Sequence, residues 1–558
     1  MRRILKISVW VVSAILAVLS FLAAMVWTLA VNADLKRPDI RITASEYTLD
    51  IDLDTLRICR GNTLYRNPYG IWEADIKGNA VERGAVMGAM SRDLLRFQEE
   101  VFVRQIKEMV PSDTYLGVLH KLMLFFNRRM ARYIPEEYRA EIAALSEFCS
   151  HDFDVFGTPY ERQLNYHAAH DIGHAMQEYM LVGCSSFAVW NNMSADSSLL
   201  IGRNFDFWMG DDFAVNKLVS FVTPDSGYRF VSVGWPGMTG VVSGMNEKGL
   251  TVTINAAKGP VPIRAAMPIS LLARHILQYA ATIEEAYGIA DTCKTFVSEA
   301  LLIGQADGRR AAVIEKTPEK QALYSVPEAP LIGTNHYQSE TFSEDPDNKE
   351  NIACSDSEYR HLRLAELIGN QTPLTPSKVA SILRNDKGLG EKSIGLTNEK
   401  SIHQYIAHHS VIFKPEQRLV WVSTSPWQSG RYLCYDLNRI FRNADSVPFF
   451  HSEKGRDIAE DSLFLATGYN RLIRYRKRVA AVKRAVERTV RLPIAYVDSL
   501  TIDNPDFYEA YLLQGDYHFM QGNFPLAETA WKTALTKEIP RKSQREEIEK
   551  KIRKYGKG

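Results

Sequence analysis

The chain has 558 residues, of which 67 are basic and 66 acidic, so its formal net charge is +1. A chain of this length can bury a large core and is expected to hold two or more domains. Its 46% hydrophobic and 24% charged residues are typical of a globular protein and argue against global disorder. The near-neutral charge, without a basic stripe interleaved with aromatic residues, argues against nucleic-acid binding.

The chain begins with a long apolar segment. No charged residue occurs from Ile7 to Ala33, and three basic residues precede this run. About 20 apolar residues in a helix span a bilayer core, whereas the apolar part of a secretory signal is usually about 7–15 residues long. We therefore predict that residues 1–33 form an uncleaved transmembrane anchor that contacts the membrane through residues 7–33. The rest of the chain would be exported to the periplasmic or extracellular side. Secretion after signal cleavage is the alternative.

The pattern of apolar residues changes twice along the rest of the chain. Residues 34–183 are predicted to be mostly helical after a short opening segment, because apolar residues recur at three- and four-residue steps. From Gly183 to about Val447, short β-rich runs separated by turn residues indicate sheets, and two helical stretches that interrupt them indicate covering helices. The predicted divisions are a membrane or signal segment 1–33, a helical pro-region 34–183, a β-rich domain 184–450 and a helical tail 451–558.

The tail is basic at its start, which is typical of a solvated helix face. Farther on it resembles one tetratricopeptide repeat. The residues that hold the expected spacings are Tyr511, Gly515, Ala527, Trp531 and Ala534. Because a lone repeat cannot form a solenoid, we expect this helix pair to pack on the main domain. Docking of a protein partner is the alternative.

Several common cofactor and catalytic motifs do not explain this sequence. His167, His170 and His174 are spaced to share one helix face, as a zinc site requires, but there is no HExxH motif and no evident fourth ligand. His408 and His409 lie beside a probable strand and are expected to be structural. The GxSxG, GxxxxGK[ST] and strand-borne GxGxxG motifs do not occur. We therefore predict no metal and no cofactor.

One of the six cysteines stands out. The cysteines are scattered without a CxxC pair, which argues against zinc-ribbon and thioredoxin-like sites. Cys184, however, follows Gly183 and opens a predicted strand in LVGCSSFAVWNN. If the bond between them were cut, Cys184 would carry a free α-amine. The unperturbed pKa of that amine, about 7.7–8.0, suits a base near neutral pH. Simple packing is the alternative for an isolated cysteine.

Polar motifs follow Cys184 in a definite order. GRNFDF contains Arg203 and Asp206, TVTINAAKG contains Asn255, and GTNHY contains Asn335. An arginine near a thiol favours the thiolate, a carboxylate can hold an α-ammonium, and asparagine amides can donate to a developing oxyanion. SDSEYRHLRL then supplies two further arginines.

The order GCSSF, GRNFDF, GMNEKGL, TNHY and SxxRxxRL resembles the acyl-coenzyme A:6-aminopenicillanic acid acyltransferase family of N-terminal-nucleophile hydrolases. It is more distantly similar to the choloylglycine hydrolases, which include bile salt hydrolases and penicillin V acylases. The resemblance covers about Gly183 to Ser423. It implies an α+β fold with a four-layer αββα sandwich, self-cleavage before the cysteine, and acyl transfer through a thioester.

The resemblance also implies roles for individual residues. Cys184 would be the nucleophile and its new amine the base. Arg203 and Asp206 would tune the thiolate and hold the amine, while Asn255 and Asn335 would donate to the oxyanion.

In the remaining motifs the resemblance implies that Arg360 orients the site, with Arg363 one helical turn away as the alternative. Asn246 and Gly249 are expected to build a hairpin instead. Compact relatives carry a short segment or almost none before the nucleophile, whereas here 183 residues precede it. After cleavage the two pieces must therefore stay packed together, or the enzyme would be released from its anchor.

The leading prediction is an exported, membrane-tethered cysteine amidohydrolase that acts on linear N-acyl amides as small-molecule substrates. An acyltransferase that moves an acyl group from a thioester such as acyl-coenzyme A to an amine is the alternative. Export disfavours it, because coenzyme A is scarce outside the cytoplasm. From another class, the chain would be a membrane-anchored binding protein that uses its C-terminal repeat.

Overall fold

A computed structural model describes residues 35–109, 123–168, 182–260, 265–442 and 451–555, together with isolated positions that include Asp171. The strands, in chain order, are β1 (Ile51–Asp52), β2 (Leu56–Cys59), β3 (Asn62–Arg66), β4 (Trp72–Gly78), β5 (Val182–Asn191), β6 (Ser197–Phe207), β7 (Leu218–Pro224), β8 (Phe230–Gly234), β9 (Ser243–Asn246), β10 (Leu250–Ala256), β11 (Glu299–Gln305), β12 (Arg310–Lys316), β13 (Gln321–Tyr324), β14 (Leu331–Gly333), β15 (Ala407–Lys414), β16 (Leu419–Ser423) and β17 (Tyr432–Asp436).

The helices connect and cover these strands. They are α1 (Ala80–Met90), α2 (Arg92–Met109), α3 (Glu136–Ser146), α4 (Pro159–His167), α5 (Ile269–Tyr279), α6 (Ile283–Thr292), α7 (Pro346–Cys354), α8 (Ser357–Gln371), α9 (Pro376–Leu383), α10 (Leu437–Arg442), α11 (Ser462–Thr467), α12 (Tyr469–Glu487), α13 (Ile494–Asp503), α14 (Tyr508–Met520), α15 (Phe524–Leu535) and α16 (Lys542–Tyr555).

The strands form two sheets that pack face to face. The larger sheet has the order β1-β2-β3-β4-β7-β8-β9-β10-β11-β12-β13, and the smaller has the order β14-β5-β6-β15-β16-β17. Side chains such as Ile201 and Val231 fill the core between the sheets. The outer face of the larger sheet packs on α5, and that of the smaller sheet packs on α8 and α9. The predicted α+β class and four-layer αββα sandwich are therefore confirmed.

The region before Cys184 contains strands that the sequence analysis did not predict. Residues 34–183 do include the helices α1 to α4, but β1 to β4 extend the larger sheet. Strand β4 runs parallel to β7, from Trp72 opposite Leu218 to Gly78 opposite Pro224. These strands are short and their parallel partner lies far along the chain, so local periodicity does not reveal them. The sheet therefore crosses the predicted boundary at residue 183, and the division of the chain there stays a prediction.

The tail forms a helical unit with its own core. Helices α14 and α15 pack so closely that a Cβ at Gly515 would lie 2.5 Å from the Trp531 ring. The unit contacts the sandwich where the Asn504 side chain exchanges two hydrogen bonds with the backbone of Leu396, each 2.9 Å long. The helix pair thus packs as expected, while its kinship to tetratricopeptide repeats and its docking of a partner stay predictions.

No helix in the described ranges is both long and apolar enough to cross a membrane. The predicted anchor over residues 7–33 lies outside those ranges, apart from four isolated positions. It remains a prediction.

Candidate active site

Cys184 is fully buried in β5, between β6 and β14 of the smaller sheet. Its backbone N–H donates to Oδ1 of Asn335 at 2.9 Å, and its carbonyl accepts a hydrogen bond from Nη1 of Arg360 at 2.6 Å. The preceding residue, Gly183, is tightly packed, because a Cβ there would lie 2.7 Å from Nε2 of Gln404. Side chains therefore pack closely against Gly183 and hydrogen-bond the backbone of Cys184.

The thiol of Cys184 lies next to a buried guanidinium. Arg203 stands on the neighbouring strand β6, and its Nη2 is 3.8 Å from the sulfur. Burial raises the pKa of the thiol, while the positive charges of Arg203 and Arg360 oppose that rise and the carboxyl groups of Asp206 and Glu299 add to it. The arrangement therefore places one cation at the distance needed to support a thiolate.

Asp206 lies directly across the strand pair from Gly183. Both carboxyl oxygens are buried and have no hydrogen-bond partner in the described part of the chain. Burial raises the pKa of this carboxyl group to about 8, although Arg360 and Arg203 act in the opposite direction. A cation placed beside Gly183 would supply the missing partner.

The structure distinguishes the two candidate arginines on α8. Arg360 donates to Oδ1 of Asn335 and to a carboxyl oxygen of Asp356, both at 2.7 Å. Arg363 instead donates to Asn385 and to two glutamates. Arg360 therefore lies in the site, and Arg363 is directed away from it.

Asn335 and Asn255 flank β5, but their amide nitrogens are bound to other protein groups. Nδ2 of Asn335 donates to the carbonyl of Ala256 at 2.8 Å. Nδ2 of Asn255 donates to Oγ of Ser186 at 2.8 Å and to two carbonyl oxygens at the end of β14. In the uncut chain, therefore, the amide nitrogen of Asn255 is fully engaged, whereas that of Asn335 uses one of its two N–H groups.

Two other residues of the motifs are structural, as expected. Oδ1 of Asn246 accepts hydrogen bonds from the backbone N–H groups of Lys248 and Leu250, each 3.0 Å long. Gly249 has a φ of 76°, a left-handed conformation that favours glycine. Together they close the hairpin between β9 and β10.

The histidine cluster of the sequence analysis is only partly visible. Nε2 of His167 accepts a hydrogen bond from the backbone of Thr239 at 3.0 Å, and its Nδ1 lies 2.7 Å from the carbonyl of Gln163. Both ring nitrogens thus have protein partners. His170 and His174 lie outside the described residues. Within those residues no group of three or more potential ligands is positioned to hold a metal ion.

Two polar residues outside the sequence motifs also reach the site. Nη1 of Arg203 donates to Oγ of Ser243 at 2.6 Å, and that hydroxyl lies 2.8 Å from Nε2 of His409. His409 was expected to be merely structural, and Ser243 carries no motif of its own. Both strands that bear them are far from Cys184 in sequence, so no local spacing marks them.

An apolar pocket adjoins the site where the N-terminal helices meet the sandwich. Phe205, the cross-strand partner of Cys184, stacks on Phe207 and Trp235, with ring centroids 5.6 and 6.4 Å apart. Helices α2 and α4 form one wall of the pocket, and residues of the sandwich form the opposite wall. Its apolar and aromatic lining includes Leu95, Phe102, Tyr166, Phe207, Phe213 and Trp235.

Comparison with known proteins agrees with the motifs. The profile of the family described as acyl-coenzyme A:6-aminopenicillanic acid acyl-transferase matches residues 190–425. The resemblance is therefore confirmed for that part of the chain, which includes Arg203, Asp206, Asn255, Asn335 and Arg360 but neither Gly183 nor Cys184. A protein of Archaeoglobus fulgidus described as uncharacterized is 27% identical over 264 residues, which is 44% of this chain and 44% of that protein.

Three solved structures show weaker likenesses. An N-acylethanolamine-hydrolyzing acid amidase ortholog of Caenorhabditis elegans is 14% identical, with a TM-score of 0.31 over 42% of this chain and 93% of that one. Penicillin V acylase of Agrobacterium tumefaciens is 16% identical, with a TM-score of 0.31 over 46% and 87%. Conjugated bile acid hydrolase of Clostridium perfringens is 14% identical, with a TM-score of 0.30 over 49% and 98%.

Proposed function

We propose that this chain is an N-terminal-nucleophile cysteine amidohydrolase that cuts its own Gly183–Cys184 bond and then hydrolyses linear N-acyl amides. One observation carries the proposal. The thiol, the N–H and the carbonyl of Cys184 contact three different polar side chains, those of Arg203, Asn335 and Arg360. A cysteine buried only for packing needs none of these contacts.

Self-cleavage is itself an acyl transfer. The sulfur of Cys184 adds to the carbonyl carbon of Gly183, and the C–N bond breaks to leave a thioester and a free α-amine. Water then hydrolyses the thioester, which yields a carboxylate on Gly183 and restores the thiol. The new α-ammonium lies beside Asp206, the cross-strand neighbour of Gly183, and gives that carboxylate the partner that it lacks in the uncut chain.

In the cleaved chain, the neutral form of the α-amine of Cys184 takes the thiol proton, which regenerates the α-ammonium beside Asp206, and the thiolate attacks the amide carbonyl of the substrate. The charge of Arg203 stabilises the thiolate. Asn335 donates to the oxyanion through the second N–H of its amide, and Asn255 donates when its amide exchanges one of its present acceptors for the oxyanion. The α-ammonium then protonates the leaving amine, and water hydrolyses the thioester on the sulfur to release the acid.

The apolar pocket supports a substrate with an apolar acyl group. In self-cleavage the acyl side of the bond is the segment that ends at Gly183, and residue 182 of that segment pairs with Phe207. Phe207 lines the pocket and belongs to the same packed cluster as Cys184. We therefore place the substrate's acyl group in the pocket and its amine on the opposite side of the thiol.

Transfer of an acyl group to an amine is the second candidate, because the family profile that matches residues 190–425 is described as an acyl-coenzyme A-dependent transferase. Both reactions pass through the same thioester on Cys184 and differ only in the acceptor. An assay with acyl-coenzyme A and an amine, run beside one with an N-acyl amide in water, distinguishes them.

The N-terminal fragment is expected to stay bound after cleavage. Strand β4 pairs with β7 along its whole length. In addition, Arg274 of α5 donates two hydrogen bonds, each 2.8 Å long, to Glu141 of α3. If residues 7–33 span a membrane, as we propose, the sandwich remains tethered on the exported side. If they are removed as a signal, both fragments are released together.

The test uses the purified full chain and N-acyl amides of increasing acyl length, with release of the amine as the readout. We expect hydrolysis by the wild type and none by Cys184→Ala. Cys149→Ala is the matched control, because Cys149 is also a buried free cysteine but lies after α3, outside the site. Equal hydrolysis by Cys184→Ala would rule out the proposal.

A further inference from the structure

Two adjacent histidines of β15 lie on the same side of their strand. In a regular strand, His408 and His409 would point to opposite faces of the sheet. Here Ala407 pairs with Asp206, and His409 pairs with the adjacent residue Phe205. His408 therefore has no partner in β6 and forms a β-bulge. As a result the Nδ1 atoms of the two imidazoles are 2.9 Å apart, with the rings at 87°. Bulges of this kind re-aim side chains and are common beside active sites.

The donors and acceptors fix the direction of each hydrogen bond from Arg203 to these histidines. A guanidinium can only donate, so Oγ of Ser243 accepts from Nη1 of Arg203 at 2.6 Å. Nη1 of Arg203 also lies 3.4 Å from Nε2 of His409, so a proton on Nε2 would face the guanidinium. Nε2 is therefore an acceptor, and the Ser243 hydroxyl donates to it at 2.8 Å. Neutral His409 then carries its proton on Nδ1 and donates to Nδ1 of His408, whose own proton must sit on Nε2. The charge of Arg203 thus sets both tautomers.

The surroundings keep both imidazoles neutral. Burial lowers the pKa of His408 and of His409 well below 6.5, and the positive charges of Lys217 and Arg203 act in the same direction. No carboxylate is hydrogen-bonded to either ring among the described residues. The chain of hydrogen bonds therefore keeps one proton arrangement over the pH range in which a thiol titrates.

We infer that Ser243, His409 and His408 are positioning residues that hold the guanidinium of Arg203 against the thiol of Cys184. Ser243 holds Nη1 and the carbonyl of Ile254 holds Nη2, which lies 3.8 Å from the sulfur. Because the Ser243 hydroxyl donates its proton to His409, its oxygen remains available to accept the hydrogen bond from Arg203. The inference rests on the proposed role of Cys184 as the nucleophile.

The groups that face the thiol set how its reactivity depends on pH. Arg203 and Arg360 favour the thiolate, whereas Asp206 and Glu299 disfavour it. If Arg203 is released from Ser243, its contribution weakens while the two carboxyl groups remain. The pKa of the thiol must then rise.

The first experiment measures alkylation of Cys184 by iodoacetamide across pH in the self-cleaved protein, read by mass spectrometry of the peptide that begins with Cys184. We expect Ser243→Ala to react about tenfold more slowly than the wild type near pH 7 and the difference to close at high pH, where both thiols are ionised, which corresponds to a rise of about one pKa unit. His409→Leu should behave in the same way. His409→Gln keeps an acceptor for the Ser243 hydroxyl and should stay close to the wild type.

Ser429→Ala is the matched control. Ser429 forms the corresponding buried pair with His403, at 2.8 Å, and neither residue is hydrogen-bonded to Arg203. We expect no change in its alkylation profile. Profiles of Ser243→Ala and His409→Leu that match the wild type would overturn the inference, as would an equal shift in Ser429→Ala.

A second measurement separates this inference from the proposed function. In uncut Cys184→Ala protein labelled with 15N-histidine, long-range proton–nitrogen correlations report the tautomers, assigned with His408→Gln and His409→Gln. We expect His409 protonated on Nδ1 and His408 on Nε2, and the reverse tautomer of His409 would overturn the hydrogen-bond chain. If the wild type neither cuts itself nor hydrolyses an amide, the proposed function fails. The tautomer measurement still decides whether the hydrogen bonds from Arg203 through Ser243 and His409 to His408 run in the direction inferred here.

Discussion

Arg274 and Arg203 are both fully buried arginines, but the groups that surround them differ. Arg274, at the junction of α5 and α3, donates to both carboxyl oxygens of Glu141. Burial alone would lower its pKa, and Glu141 raises it instead. Arg203, beside Cys184, donates to a hydroxyl and a carbonyl and contacts a thiol and an imidazole. In the described part of the chain no carboxylate accepts a hydrogen bond from it, and burial lowers its pKa.

Under the proposed function, the difference means that one residue type serves stability in one region and chemistry in the other. A buried cation without a charged partner is unfavourable, so the fold gains when a neighbouring group ionises. At the Arg274 junction a carboxylate has already met that need. At Arg203 the contacting group that can ionise to an anion is the thiol of Cys184. Arg203 therefore favours the thiolate, in opposition to the burial that raises the pKa of the thiol.

Removing the carboxylate of the first region should have the largest effect on stability. Glu141→Gln leaves Arg83 and Arg274 buried without their shared anion. We expect a loss of about 3–5 kcal/mol in the free energy of unfolding, as for other broken buried ion pairs. Chemical denaturation of Glu141→Gln in the uncut Cys184→Ala background measures it. A loss below about 1 kcal/mol would show that the two arginine environments are alike.

Removing Arg203 should lower the rate of the reaction rather than the stability of the fold. Arg203→Met deletes the cation beside the thiol and leaves an apolar side chain of similar length. We expect kcat/KM to fall about 10²–10³-fold, the size seen when one preorganised electrostatic contact is removed. Stability should change little, because an apolar replacement of a buried charge is often neutral. A variant that unfolds readily but keeps its activity per folded molecule would contradict the comparison.

The pH dependence of stability should reveal Asp206. Its carboxyl pKa rises from the ordinary 3.8 to about 8 in the folded, uncut chain, so the folded state holds a proton that the unfolded state has lost. That difference lowers stability progressively from about pH 4 to pH 8. In the Cys184→Ala background, Asp206→Asn should therefore gain stability over this interval, by about 1–3 kcal/mol at pH 8. Denaturation curves at pH 4, 6 and 8 measure the gain, and a constant gap between the two proteins would count against this account of Asp206.

The smallest effect is expected at Arg363. Its guanidinium is bound to Asn385, Glu366 and Glu391 rather than to the site. Arg363→Gln should change kcat/KM by no more than about twofold, whereas Arg360→Gln removes contacts to Cys184 and Asn335 and should lower it at least about tenfold. Steady-state kinetics of the two variants decide which arginine serves the site, and equal losses would remove the distinction.

The motifs identified the residues around Cys184 because each lies in a recognisable run of residue types. Arg203, Asn335 and Arg360 are far apart in sequence, yet all three contact Cys184 directly. Their order along the chain was enough to predict their meeting by resemblance. The acceptors of the Asn255 and Asn335 amide nitrogens could not be predicted, because they depend on the detailed register of β5, β10 and β14.

Features that depend on distant pairing were missed. Strands β1 to β4 join the larger sheet through β7, and the residues between 35 and 78 carry no sign of that partner. Ordinary strand alternation predicts that His408 and His409 lie on opposite faces of the sheet. The bulge at His408 interrupts that alternation and brings the two side chains to the same face. The pocket likewise combines helices from before Cys184 with strands from after it.

Self-cleavage before Cys184 is the central claim, and intact-mass analysis with N-terminal sequencing of the purified protein tests it most directly. The account predicts two fragments that copurify, one ending at Gly183 and the other beginning at Cys184, and a single uncut chain for Cys184→Ala. A wild-type chain that stays whole, or cleavage at the same bond in Cys184→Ala, would contradict it.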